Sequence, residues 1–300
     1  MKSNNSLFLL FLLLSASPVF AQLEITSERD DQGNVNFFAN NLDVVPYTVI
    51  LNFSQLQNMT TSGGGNVVAV ASPGKSKVAT LKPTLAGQGT NYRYGYTYLK
   101  GNVYGKSKNE PVYLIPVEEG IQVKAGHLRS LLASATGEES KGELGVFFEF
   151  DGKVKLVAPR KGVVSAIKSD FVSDKEGLTY SREQNFIELY HEDGTLTKIL
   201  VVDGSDIQVK VGDVVIPGQV LGSSSGENYS GGPHVQVDVL KVVKNGADKL
   251  KYERIQPLFH TQGGAVKVEP KKVYEVIHSE EVITAELSKK ELKSYQSEKE

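Results

Sequence analysis

The sequence predicts an all-β chain: a sandwich of short strands, then a second β-rich body, then a short C-terminal helix. Three observations carry that expectation. Short β-branched and aromatic runs recur between Gly, Pro, Asn and Asp clusters from residue 23 to about 117. Val235, Val237 and Val239 alternate with His234, Gln236 and Asp238, the period-2 pattern of a strand with one buried face. Only the last stretch, from Ser279, shows apolar residues near helical spacing.

Length and composition bound the rest. The 300 residues suit two domains, and 40% hydrophobic with 23% charged residues is ordinary for a globular protein. A net charge of −2, with no basic cluster among aromatics, argues against a nucleic-acid partner. The chain has no cysteine, which removes disulfides, thiolate chemistry and a lipid-modified cysteine. Residues 1–21 read as a signal peptide: Lys2, an apolar run over residues 7–14 too short to span a bilayer, and Val19-Phe20-Ala21 before Gln22. Later residues include no apolar stretch of about 20, so the expectation is an exported protein, periplasmic or extracellular, without stable membrane insertion. Asn-x-Ser/Thr triplets at Asn52, Asn58 and Asn228 are either glycan acceptors or chance triplets in polar loops.

The first domain is expected over residues 22–118. Leu23-Glu24-Ile25, Val35 to Phe38, Tyr47 to Leu51, Val67 to Val70 and Lys77 to Leu81 are its strand candidates, and their spacing suits a sandwich. Tyr92, Tyr94, Tyr96 and Tyr98 share one strand face, either as rings at the edge of the sandwich core or as a sugar platform. Residues 119–141 read as a polar connector with a short helix over Leu128 to Ala133 and one solvated histidine, His127.

The second domain is expected over residues 142–262. Its strand candidates are Gly145 to Phe150, Val154 to Pro159, Gly162 to Ile167, Asn185 to Tyr190, a continuous strand from Thr195 to Val202, and His234 to Val239, with Ile255 to His260 ending the domain. Residues 168–184 read as a surface loop, His191-Glu192-Asp193-Gly194 as a turn, and residues 209–222 as a turn-rich hairpin run. Residues 263–300 form an extension ending in a frayed, charged helix, with Ser288-Lys289-Lys290-Glu291 as a capping box. Because alternate residues of a strand share a face, His234 and Gln236 must point the same way.

Taken together, Ala158-Pro159-Arg160-Lys161-Gly162, His191-Glu192-Asp193-Gly194-Thr195, Val211-Gly212-Asp213 with Gly218-Gln219-Val220-Leu221-Gly222, and Gly232-Pro233-His234 resemble the lysostaphin-type (LytM-type) zinc metallopeptidases of bacterial cell walls. The resemblance covers about residues 142–260 and implies a LytM-type β-sheet or barrel-sandwich (duplicated hybrid motif). It also implies zinc held by a His, an Asp and the second His of a Gly-Pro-His-x-His strand, with two further histidines assisting. Carried over residue by residue, the Asp falls on Phe147, the preceding His near Glu143 or Ala135, the assisting His of the Tyr-x-His-Leu segment on Val201, and the last ligand on Gln236. Only His234 is retained, and in the family it is catalytic, not a ligand.

Ligand counting then decides the expectation. A hydrolytic zinc needs three protein ligands from His, Cys, Asp or Glu, plus a water. Phe147 cannot coordinate, and a neutral Gln amide is a poor ligand beside an imidazole or carboxylate. The resemblance therefore implies a non-catalytic relative without cofactor, whose groove around His234 and Gln236 binds peptidoglycan peptide, a cell-wall hydrolase or another envelope protein. Two alternatives stay open. One is an active zinc endopeptidase with an atypical ligand set, for example Glu143, Glu149, His234 and Asp238. The other is a lipoyl- or biotinyl-carrier-like domain, to which the Gly-Asp-x-Val…Gly-Gln-x-Leu-Gly pattern also belongs.

Overall fold

The computed structural model describes residues 22–128, 145–172, 175–178, 181 and 183–297. Residues 1–21 (the expected signal peptide), Ala135, Glu143 and all but Leu128 of the expected connector helix lie outside the described residues. Among the described residues the chain is all-β apart from two short helices near the C-terminal end, and the expected fold class is borne out, although the described sheets stay open and close into no barrel.

Two sheets form the sandwich. The first contains β1 (Leu23–Arg29), β2 (Val35–Asn41), β4 (Met59–Thr60) and β6 (Gly74–Pro83) in the order β1-β2-β6-β4. The second sets β3 (Tyr47–Gln57) between β5 (Asn66–Ala71) and β7 (Asn91–Lys100). Leu23, Val35, Phe37, Val49, Leu51 and Leu81 fill the space between them, as alternation on each strand dictates. Tyr92 and Tyr94 meet Phe37 edge-on, Tyr98 meets Tyr47, and Tyr96 stacks on Tyr98. The tyrosine row thus lies along the core edge. The glycan triplets are engaged as well: Asn52 sits within β3, and Asn58 donates to the Leu85 and Gln88 carbonyls.

The second body is organised around a long central strand. After β8 (Val112–Tyr113) and β9 (Gln122–His127) come β10 (Val146–Glu149), β11 (Lys155–Val157), β12 (Gly162–Lys168), β13 (Phe186–Tyr190), β14 (Thr195–Leu200) and β15 (Val202–Ile207). Then follow β16 (Val214–Val215), β17 (Val220–Ser224), β18 (His234–Lys244), β19 (Leu250–Ile255), β20 (Leu258–Thr261), β21 (Gly264–Val266) and β22 (Val273–Glu275). The large sheet runs β16-β12-β13-β14-β18-β10-β9-β22, with β19 also paired to β18. A small sheet, β11-β17-β15, supplies Leu156 and Leu221 to the same core as Phe148, Ile187, Leu189, Ile199, Val235 and Val237. The two bodies meet at Lys100, whose ammonium reaches the Ser165 carbonyl at 3.0 Å, Glu188 at 3.2 Å and Asp43 at 3.4 Å.

Four sequence expectations are corrected. Residues 119–141 are not a plain polar connector, because β9 crosses them, pairs with both β10 and β22, and buries Val123 and Ala125. His127 is not a solvated loop residue; it ends β9, half-buried, with Nε2 3.0 Å from the Val268 carbonyl oxygen. The strand expected from Thr195 to Val202 breaks at Val201, whose φ is +66°, a conformation that a β-branched residue rarely adopts.

The C-terminal extension is anchored, not frayed. It contributes β21 and β22, then α1 (Glu280–Thr284), capped by Ser279, and α2 (Lys289–Ser297). The capping box forms as read: Ser288 N–H donates to Glu291 at 2.7 Å, and Glu291 N–H to Ser288 Oγ at 3.3 Å. Between the helices Glu286 grips Arg160 with both carboxylate oxygens, at 2.8 and 2.5 Å.

Candidate functional site

The register of β18 decides which side chains share the face of His234. Antiparallel pairing sets Glu149 opposite His234, Phe147 opposite Gln236, and Leu200 opposite Gln236 from the other side. Directly opposed residues project to the same face, so Phe147, Glu149 and Leu200 all border His234 and Gln236. The orientation of Glu149, uncertain from sequence, is thereby fixed.

His234 is buried and both of its ring nitrogens are engaged. Nδ1 lies 2.9 Å from the Gly232 carbonyl, which can only accept, so Nδ1 carries the proton. Nε2 then offers a lone pair, and the Gln236 amide donates to it at 3.1 Å. Burial lowers the imidazole's pKa, against an opposing pull from the Gly232 bond and Glu149. The ring is held edge-on between Tyr229, 4.9 Å away, and Phe147, 6.4 Å away. What the sequence offers as a catalytic residue is here a neutral, hydrogen-bonded wedge.

Among the described residues, the remaining family positions do not fit zinc. Phe147 lays its ring over Gly126 of β9, where a β-carbon would fall inside the ring. Val201 packs beside Gly226 and His234, and Gln236 points its amide N–H at the one nitrogen that would bind metal. Glu149 is tied to Lys124 at 3.0 Å. Asp238 lies four strand positions from His234, roughly 13 Å along β18, and faces Arg254 at 3.5 Å. Burial raises its carboxyl pKa, and its Oδ1 has no hydrogen-bond partner. Among the described residues, no three of the metal-ligating kind come together. The described residues on this face therefore give no ligand set for a metal.

A second buried histidine behaves alike at the other end of β14. His191 has Nδ1 2.6 Å from the Lys161 carbonyl oxygen and Nε2 2.7 Å from Thr197 Oγ1. Burial, helped by Arg160, pushes its pKa down to about 4. Beside it Arg160 reaches Asp193 at 2.9 Å and the Tyr113 hydroxyl at 3.2 Å. Burial opposes the Asp193 carboxylate, but Arg160 and Thr195 hold its pKa below the ordinary value.

Next to His234 the surface opens into a cleft of about 580 Å³. Val201 and Tyr229 form the wall it shares with the His234 ring. Asn185 fastens the far wall, accepting from Phe171 N–H at 2.9 Å and donating to the Phe171 carbonyl at 3.0 Å. Leu178 N–H donates to the Asn228 carbonyl and Ser230 N–H to the Leu178 carbonyl, which ties residues 175–178 to the run before Gly-Pro-His. Between Val202 and Ile207 the β15–β17 register shifts, and this bulge places Asp203, Gly204 and Ser205 along the cleft.

From sequence, Asn185 falls in the strand Asn185 to Tyr190, and Tyr229 is assigned no role. The one signal that marks them is polarity: Gln184-Asn185 and Glu227-Asn228-Tyr229 are polar or amphipathic runs abutting apolar strands.

No family model matches this chain, and no curated protein matches it in sequence. Among solved structures it is similar to the SpoIIQ–SpoIIIAH pore-forming complex, with 21% identity over 44% of this chain and 85% of that one, at a TM-score of 0.31. It is similar to the deep-sea M23 metalloprotease pseudoalterin, with 17% identity over 52% of this chain and 94% of that one, at 0.32. Csd3 of Helicobacter pylori is similar over 91% of this chain and 84% of its own, at 11% identity and a TM-score of 0.30. M23 peptidases are thus among the solved structures this fold is similar to, and at these scores function has to be argued from this chain's own side chains.

Proposed function

We propose that this chain is an exported, non-catalytic relative of the lysostaphin-type peptidases that binds an extended peptide of the bacterial cell envelope. The peptide lies against the β18 face of His234 and Gln236 and comes from peptidoglycan or from a cell-wall hydrolase or other envelope partner. The observation that carries this reading is the Gln236-to-His234 hydrogen bond opposite Phe147, which closes the imidazole to metal while leaving its aromatic surround beside an open cleft. A peptide groove needs only main-chain partners and side-chain pockets, so it works without the metal.

In this reading residues 1–21 direct export, residues 22–118 form the leading sandwich, residues 142–262 the groove-bearing domain, and residues 263–300 an extension. Mass spectrometry of the exported protein should begin at Gln22.

The functional test is a pull-down with purified cell-wall sacculi and with candidate hydrolases. It compares the wild type with Gln236→Glu and His234→Asp variants whose thermal melts confirm folding. Capture that drops at least about tenfold in both variants supports the groove. Capture indifferent to both places the working surface elsewhere.

A further inference from the structure

We infer that the outer edge of β6 in the sandwich is a strand-addition site for an extended peptide bearing carboxylate side chains. The site lies apart from the His234 face and does not rest on the groove reading.

An unpaired strand edge presents a row of main-chain donors and acceptors, which natural sheets close in one way or another. Three strands that border the sandwich sheets are each met by a tyrosine hydroxyl. Tyr94 Oη reaches the Ile25 carbonyl of β1 at 3.5 Å, Tyr104 Oη the Val68 carbonyl of β5 at 3.3 Å, and Tyr252 Oη the Lys100 carbonyl of β7 at 3.0 Å. The fourth border differs. There β4 pairs with β6 only through Met59↔Pro83 and Thr60↔Lys82. The chain then leaves the sheet in a turn closed on itself: Gly63 N–H donates to Thr61 Oγ1 at 3.0 Å, and Thr61 Oγ1 to the Gly64 carbonyl at 3.0 Å. From Lys75 to Leu81, β6 pairs with β2 on one side, and among the described residues nothing bonds its backbone on the other.

The space that a longer β4 would fill is a cleft of about 600 Å³. Lys77 to Thr80 line it together, with Lys82 and Thr60 to Ser62 at its end. Alternate side chains of a strand point to opposite faces, so consecutive residues line one cleft where the strand's edge itself faces it. Main-chain pairing along such an edge is one of the recurring ways a sheet captures a peptide.

Charge selects the occupant. No Asp or Glu lines this cleft. Lys75 is paired with Glu28 at 2.8 Å, whereas Lys77 and Lys82 meet no carboxylate among the described residues. A second copy of β6 would bring lysines against lysines, which is unfavourable across a strand pair, while a strand with carboxylates at alternate positions brings opposite charges together. The register shift at Val78, which is buried, keeps the regular edge short. The peptide therefore gains only a few main-chain bonds, and the two lysines decide between peptides.

The experiment is fluorescence anisotropy on the purified protein with three labelled heptapeptides, blocked at both ends. One alternates Thr with Glu and one alternates Thr with Lys. The third repeats the Glu peptide with every backbone nitrogen methylated, which removes the main-chain donors and keeps the carboxylates. An exposed lysine–carboxylate pair is worth up to about fivefold in affinity. The Glu peptide should bind at least about fivefold tighter than the Lys peptide, and methylation should abolish binding. In a Lys77→Glu, Lys82→Glu double variant with an unchanged thermal melt the preference should reverse. Should that variant melt early, Lys77→Gln and Lys82→Gln taken singly should each shrink the preference. Binding of the Glu peptide should be unchanged in His234→Asp.

No measurable binding of the Glu peptide, or equal affinity for the Glu and Lys peptides, overturns the proposal. A methylated peptide that binds as well as its parent overturns it as well, because the contact is then charge alone. So does a preference that persists in the lysine variants or is lost in His234→Asp, since the peptide is then read elsewhere.

Discussion

The two ends of β14 carry the same kinds of group in opposite states. At the Thr195 end Arg160, Asp193, Glu286, Tyr113 and Thr195 form a buried cluster in which each charge meets its opposite, and the C-terminal segment closes over it. At the Leu200 end the chain breaks at Val201 and a cleft opens, lined by Glu176, Asp203 and Glu227, with Lys153 paired to Asp203. Both ends hold a buried neutral histidine with both nitrogens bonded. Burial of a polar residue is thus common to both ends. The difference is cover: the C-terminal segment closes over one end, and the other opens into a cleft.

The largest expected effect lies at the closed end. Arg160→Met should cost about 3–5 kcal/mol in urea denaturation, because it strands Asp193 and Glu286. His234→Ala at the open end should cost only about 1–2 kcal/mol, since one local hydrogen-bond pair is lost. Equal costs would erase the distinction between the two ends.

A pH series sharpens the same contrast. His191 is held at about 4 in the folded chain, against about 6.5 when unfolded. As pH falls the unfolded chain takes up the proton first. The stability owed to the neutral ring is therefore complete above about pH 6.5 and lost as pH falls through 4, on the order of 3–4 kcal/mol. His234, also lowered, adds a loss of the same sign. Denaturation midpoints taken from about pH 7.5 to 4 should fall less steeply in His191→Gln than in the wild type.

Smaller effects test the packing under the site. Gly126→Ala pushes a methyl into the Phe147 ring and should cost about 1–3 kcal/mol. In Phe147→Ala the same substitution should be nearly neutral, a coupling that a double-mutant cycle reads directly. Smallest of all, Ser288→Ala removes the cap of α2 and should cost about 0.5–1 kcal/mol.

Much of this was legible in the sequence. Turn clusters mark the sandwich strands, and period-2 alternation puts His234 and Gln236 on one face. The Ser288–Glu291 box is local chemistry and forms as read. What escaped is tertiary. In β9 only Val123 and Ala125 are apolar on alternate positions, and the strand exists because β10 and β22 pair with it from both sides. The run Leu200-Val201-Val202 reads as unbroken strand. It turns at Val201 because the Asn185 carbonyl takes its N–H and Ser225 N–H takes its carbonyl. Arg160 and Glu286 lie 126 residues apart, beyond any local pattern. The cleft likewise appears only when Ser169, Phe171, Val172 and Glu176 come against residues 203–205 and 225–229.

The central claim is that the face of His234 is closed by hydrogen bonds and takes no metal. Elemental analysis of the purified protein, dialysed against excess zinc and then against zinc-free buffer, tests it most directly. The account predicts zinc far below one ion per chain, unchanged in His234→Ala. About one zinc per chain, lost in His234→Ala, would contradict it.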